Sequence, residues 1–335
     1  MLRFILRRLL LLVPVIVGLT IIMFAIARLL PGDPVALAAG PNATKAEIAA
    51  LAVEYGLDKP IWVQYVNYVS GLVHGDLGTS LLTRRPVATD IAAYLPATLE
   101  LVFAAMLIAV AVGIPLGLVT AVWRNRWPDY LAQVAAIGAI SIPRFFLGLL
   151  LQLCFAMWLM WLPLGGRLPI VVIPPPTVTG FLTIDSLIAG DWTAFVMALR
   201  HLALPAIAMS LSPLATIMRM MRASTIEVMH QDYVMTARAL GLPSTKIVTK
   251  YVARNAVSAT LTVIGLYFGW LLGGTVLVET VFDWPGLGLY ATKAIVSQDM
   301  MPVIGVALVI GLLFVIANLI IDILYGVINP KVRYS

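Results

Sequence analysis

Six stretches of this chain, at about 9–30, 97–122, 131–162, 199–218, 258–278 and 302–328, each offer a long run of mainly apolar residues. About 20 such residues are enough for an α-helix to cross the hydrocarbon core of a bilayer. Lipid supplies no water to bond the backbone, so a spanning segment must satisfy its own amides and carbonyls, as a helix does internally. Composition agrees, with 11% of the 335 residues charged, where a soluble domain carries about 25%. The expected fold class is an all-α integral membrane protein of six transmembrane helices. An even number of spans puts both termini on one side.

The opening "MLRFILRRLLLLVPVIVG" has the basic start of a signal peptide, but the apolar run from Leu9 to Ala27 is too long and has no clear small-residue cleavage site. An uncleaved first span is expected instead. In the third span, "SIPRFF" holds Pro143, which removes a backbone donor and should kink the helix. Arg144 beside it is too costly to face lipid and should look inward or toward headgroups. Pro205 and Pro213 should interrupt the fourth span.

Orientation follows from the basic residues, because a membrane sorts charge by side. With the N terminus inside, thirteen Lys and Arg fall on the inner segments, six on the outer segments, and Arg28, Arg144 and Arg200 at or within span ends. Cytoplasmic termini are therefore expected. The chain divides into residues 1–30, an N-terminal end and first span; 31–96, an extracytoplasmic loop; and 97–335, a core holding the other spans. The core includes a cytoplasmic segment 219–257 and a second extracytoplasmic segment 163–198. The first loop should be folded: Thr44 and Glu47 have capping-box spacing before a short amphipathic helix ending at Gly56. In the second, "PPPTVTG" reads as a stiff extended stretch, and "IDSLIAGDWTAF" as a segment lying on the bilayer with Trp192 at the interface.

Several chemistries are missing. No G-x-x-x-x-G-K-[ST] loop is present, so nucleotide should be handled on other subunits. His74, His201 and His230 lie far apart and on both expected sides, which argues against a metal site. No nucleophile elbow or His-Glu-x-x-His helix appears, so no enzyme is expected. Cys154 is the one cysteine, so no intrachain disulfide can form. A surplus of six positive charges in so apolar a chain belongs to membrane sorting, and no nucleic-acid partner is expected.

Between two apolar runs lies the polar "DYVMTARALGLPSTKIVTKYVARNA", Asp232 to Ala256. Asp232 can cap a helix running through Leu240, Gly241 can take the left-handed conformation that ends it, and "LPST" turns the chain into a second helix starting near Lys246. Thr236, Ala237 and Ala239 are small enough to let another protein approach closely, while Arg238 and the lysines supply charge. The competing reading is a basic loop held at anionic headgroups.

This segment resembles the cytoplasmic E-A-A-x-x-x-G signature of ATP-binding-cassette importer permeases, with Met235, Thr236 and Ala237 at the E-A-A positions and Gly241 at the glycine. Met235 stands where the signature has an acid, and Thr236 where it has the first alanine. "QDYVMTARALGL" followed by "RNA" is similar to the variant form in the peptide and nickel branch. "LLPGDPV", "YGLDKPIWVQYVNYVSGLVHGDLGTSLLTRRPV", "SIPRFFLGLLL", "HLALPAIAMSL", "ETVFDWPGLGLYATKAI" and "DILYGVINPKVR" all resemble the B-type permease subunits of dipeptide importers.

The resemblance implies a type I importer permease of the bacterial inner membrane with a large folded periplasmic loop. It implies a homologous C-type permease as partner, two ATP-binding cassette subunits that hold ATP and Mg, and an extracytoplasmic peptide-binding protein. This chain itself would hold no cofactor. Asp232, Thr236, Ala237, Arg238, Gly241 and Lys246 would couple it to the ATPases.

Arg144, Asp322 and Glu100 are the ionisable candidates for a polar interior. "ETVFDWPGLG", with Glu279, Asp283 and Pro285, reads as an outer gate turn in which Pro285, Gly286 and Gly288 break any helix. Nickel, glutathione and longer peptides remain alternatives to dipeptides as cargo. A stand-alone secondary transporter would show paired intramembrane acids and inverted repeats, which the sequence does not display.

Overall fold

The computed structural model describes residues 2–29, 44–46, 50, 53 and 58–328, and among them the regular structure is helical throughout. In chain order the helices are α1 (Leu2–Leu29), α2 (Ile61–Val73), α3 (Val87–Val122), α4 (Trp127–Ser141), α5 (Arg144–Leu151), α6 (Leu182–Ile188) and α7 (Trp192–Met229). After them come α8 (Asp232–Ala239), α9 (Ser244–Gly274), α10 (Val276–Val281), α11 (Leu287–Val296) and α12 (Met300–Ile328). The helix expected from Thr44 to Gly56 lies mostly outside the described residues.

Four of these helices, α3, α7, α9 and α12, are long and apolar enough to cross a bilayer. The pair α4 and α5, with the π-helical turn Gln152–Trp158 that continues α5, passes the same test together and makes a fifth. Its two arms meet at 105°, a far sharper break than the kink expected at Pro143. Ile142 and Pro143 both have extended backbone, so the helix stops at Ser141 and restarts at Arg144. The sixth expected span falls in α1, whose stretch Leu10–Ile26 is apolar.

The fourth span departs from expectation. Helix α7 runs unbroken for 38 residues through Pro205 and Pro213, a length of about 57 Å at 1.5 Å per residue. Both prolines are buried against neighbouring helices, where no water competes for the freed carbonyls. Ser210 and Thr216 donate their hydroxyls back to Ile207 and Ser212. Trp192, expected on a separate surface segment, opens this helix, and Asp191 caps it by accepting from the Ala194 amide at 2.9 Å.

The core sits where α3 crosses α7. Leu101, Val102, Ala105 and Ala109 of α3 meet Leu204, Met209 and Ile217 of α7, with Leu271, Leu272 and Trp284 closing the cluster. Gly113 and Gly117 let the backbones approach: a β-carbon on Gly117 would lie 2.6 Å from Met221 Cβ and 2.7 Å from the Met218 carbonyl oxygen. Helix α9 packs on α12 by the same device, Gly265 against Ile321 and Gly269 against Phe314. At the other edge α1 carries α2, with Phe24 between Tyr65 and Tyr68 and Thr20 bonded to the Tyr65 hydroxyl at 2.9 Å.

Candidate functional site

The polar segment after α7 folds as a short helix and a return. Gln231 with extended backbone precedes α8, so Asp232 is its first residue and not the cap that the sequence suggests. Asp232 instead lends its carbonyl to the Thr236 hydroxyl at 2.9 Å. At the far end the Leu242 amide reaches the Ala237 carbonyl and the Gly241 amide reaches the Arg238 carbonyl. That pair of bonds is the Schellman stop, with Gly241 at φ +73° in the left-handed region. The chain then enters α9 at Ser244, two residues before the start expected at Lys246.

Inside this hairpin Val234, Ala237, Ile247 and Val252 are buried together, with Val228, Met229 and Leu242 packed round them. Ala237 therefore does not face outward as the sequence pattern suggests. It is small because α8 lies against the start of α9, and that cluster holds the hairpin in shape. The outward face carries Tyr233, Met235, Thr236, Arg238 and Leu240, all exposed, with Asp232, Gly241 and Lys246 beside them. Leu240 is 75% and Met235 57% exposed, an apolar content out of place on a solvated loop and suited to a partner.

At the opposite end of the bundle lies "ETVFDWPGLG". Helix α10 ends at Val281, Asp283 turns the chain at φ +45°, and the Trp284 amide returns to the Glu279 carbonyl at 2.8 Å. Pro285 and Gly286 make the break, but Gly288 lies inside α11 and does not interrupt it. Its lack of a β-carbon admits α10, since one would meet Val276 Cα at 2.5 Å.

Glu279 is fully buried and holds this turn. It accepts from the Thr98 hydroxyl at 2.7 Å and from the amides of Gly288 and Leu289 at 2.6 and 3.1 Å. Trp284 is buried and donates its indole N–H to the Ala97 carbonyl at 2.8 Å. Asp283 is exposed and Pro285 half-buried. Glu279 thus positions the turn, and Asp283 is the residue a ligand could touch.

Glu100, expected in a polar interior, is buried and ties α3 to the segment after α5. Its carboxylate pairs with Arg167 and accepts from the Thr183 amide and hydroxyl at 2.8 and 2.7 Å. Arg167 also donates to the Gly180 carbonyl at 3.0 Å and lies over the Trp284 ring, 5.6 Å from its centroid. Asp185 anchors the same segment through Thr179 and Gly180. Burial works against its ionisation, but those donors outweigh it and hold the carboxyl below the usual carboxylate range.

Arg144 begins α5 at the 105° break, half-buried, with a guanidinium nitrogen 2.6 Å from where a Gly274 β-carbon would stand. Among the described residues it forms no ion pair. The side chain of Asp322, in α12, lies outside the described residues. His74, His201 and His230 each place Nδ1 against a backbone carbonyl, of Ser70, Gly165 and Ile226 respectively.

Sequence reasoning missed two clusters. Asp129 and Arg222 form a bidentate pair at 2.7 and 2.8 Å that clamps α4 to α7. Asp90 and Asp299 fix the end of the first loop, through Thr83, Arg85 and Tyr290 for Asp90 and through Ser80 and the Leu82 amide for Asp299. The one signal for the first was the proximity of Asp129 and Arg222 to span ends, where an acid and a base can meet across helices. Nothing in sequence spacing marks Tyr290 as a partner of Asp90, or Ser80 and Leu82 as partners of Asp299, at separations of 200 residues or more.

The chain is thus a helical bundle with a polar hairpin at one end and a buried-carboxylate turn at the other. Residues 113–334 match the family of binding-protein-dependent transport system inner membrane components, and residues 1–102 match the N-terminal region of such membrane components. The chain belongs to this family of importer permeases. It is 46% identical to a probable D,D-dipeptide transport system permease of Escherichia coli K12 across 96% of this chain and 94% of that one. It is 42% identical to the dipeptide transport system permease DppB of the same strain, with both chains covered in full. The glutathione transport system permease GsiC of Escherichia coli O6:H1 is 38% identical, again over the whole of both chains. The expected resemblance to dipeptide-importer permeases is thereby established, and a permease component is a transport subunit, not itself a catalyst.

Proposed function

We propose that this chain forms half of the translocation path of an ATP-driven importer for dipeptides and similar short peptides. A homologous C-type permease supplies the other half, two ATP-binding cassette subunits hold ATP and Mg, and an extracytoplasmic peptide-binding protein delivers the cargo. In this reading α1, α3, the broken pair α4–α5, α7, α9 and α12 are six spans with both termini cytoplasmic, supported by the thirteen-to-six bias of basic residues. The relatives named for dipeptide transport support the cargo. The glutathione relative is the specific reason to keep a second cargo, itself a short peptide, in view.

The observation that carries the coupling role is the α8 hairpin: internally packed, and exposing Met235 and Leu240 beside Arg238. A rigid hairpin continuous with α9 would convert ATPase closure into movement of a span. At the outer end the Glu279 turn and Asp283 would serve as gate, with Arg144 toward the path. Purifying the chain with its co-expressed partners and bound binding protein, then identifying the ligand by mass spectrometry, tests the reading. Dipeptides are the expected ligands, and a metal or a sugar in their place would overturn it.

A further inference from the structure

One cleft opens beside the hairpin, and of its lining residues Arg238 alone also belongs to the proposed coupling face. It has a volume of about 250 Å³ and lies where the ends of α3 and α7 meet α8. Its lining combines apolar side chains, Ala121, Val122, Ile226 and Met229, with the cations Arg124 and Arg238 and with His230. The adjacent acid, Asp129, is wholly engaged by Arg222, the Asn125 amide and Gln133. Neither Arg124 nor Arg238 has an ion pair among the described residues. Trp123 and Trp127, 47% and 74% exposed, flank Arg124 and mark the depth at which indoles settle, between hydrocarbon and water.

Apolar side chains beside two guanidinium groups that have no ion pair among the described residues match one chemistry at that depth, a phosphodiester with acyl chains. We infer that this cleft binds the phosphate of an anionic phospholipid, the headgroup bridging Arg124 at the end of α3 and Arg238 on α8. A carboxylate from a docking protein would suit the outward face of α8 but would leave the apolar lining uncovered. The lipid would tether the hairpin to the membrane boundary, so its headgroup charge would tune how stiffly α8 follows α7. This inference requires only that Val122 and Met229 end at one membrane boundary, and so stands apart from the choice of cargo.

The test uses the full chain in nanodiscs, with photoactivatable phosphatidylglycerol or phosphatidylcholine as probe, with and without the ATPase subunits. Phosphatidylglycerol should crosslink to peptides covering 121–124 and 226–238 at least tenfold more than phosphatidylcholine does. Arg124→Gln with Arg238→Gln should abolish that preference, whereas Arg126→Gln, a neighbouring cation outside the cleft, should keep it within twofold. Equal loss in Arg126→Gln would mean diffuse charge and overturn the site. Competition by millimolar inorganic phosphate would make it a soluble-anion site, and displacement of the lipid by the ATPase subunits would assign the cleft to them. Should the double variant fail to insert, the crosslink map of the unaltered chain decides alone.

Discussion

Gly241 is required for its backbone and not for space: nothing lies within 4 Å of a β-carbon placed there, yet φ is +73°. A side chain in that conformation costs roughly 1–2 kcal/mol, enough to loosen the hairpin without preventing insertion. Gly241→Val should therefore leave the subunit in the membrane and peptide on the binding protein, while transport falls and hydrolysis no longer responds to the binding protein. Transport at the parental rate would refute the coupling role. Ala237→Glu should give the same outcome by another route, placing a carboxylate in the Val234–Val252 cluster, and the hairpin should become protease-sensitive. Asp129→Asn leaves Arg222 half-answered between α4 and α7. Leaving part of such a half-buried pair unanswered costs on the order of 1–3 kcal/mol, so the melting temperature in detergent should drop, with partial recovery in Asp129→Asn/Arg222→Gln. The glycine stop could be read from "ALGLP"; the burial of Ala237 could not, because that depends on α9 folding back over it.

Among the elements, the α10–turn–α11 unit shows how a carboxylate can hold a loop. Glu279 has three donors aimed at its two oxygens, and a glutamine offers only one acceptor oxygen. Glu279→Gln can keep its one oxygen on the Gly288 and Leu289 amides but turns an amide N–H toward the Thr98 hydroxyl, which loses its acceptor, a loss of about 1–3 kcal/mol. With Cys154 replaced by serine, a cysteine at Asp283 should label faster in that variant, and an unchanged rate would show that the turn is held elsewhere. Pro285 and Gly286 announced this turn in the sequence, whereas Gly288 misled because a helix glycine required for close approach resembles a breaker. Pro205 and Pro213 misled in the same direction. In a buried span the helix has no better partner than itself, so proline propensity measured in water does not carry over.

For the whole molecule, topology is the first thing to measure. In the Cys154→Ser background, cysteine at His74 should react with an impermeant thiol reagent from outside and cysteine at Ser244 should not; the reverse would invert the orientation. In liposomes the chain alone should neither hydrolyse ATP nor accumulate peptide, and uptake should appear only with partner permease, ATPases and binding protein. Gradient-driven uptake by the chain alone would restore the secondary-transporter alternative. The sequence by itself determined the membrane class, the helical content and the place of the polar hairpin, since hydrocarbon imposes one rule on every apolar run of sufficient length. Tertiary structure alone decided that Glu100 belongs to Arg167, that Asp129 belongs to Arg222, that α4 and α5 part at 105°, and that Arg124 and Arg238 line one cleft. A charge in a low-dielectric bundle goes where a partner can meet it, and that meeting is set by helix crossings, which local sequence does not encode.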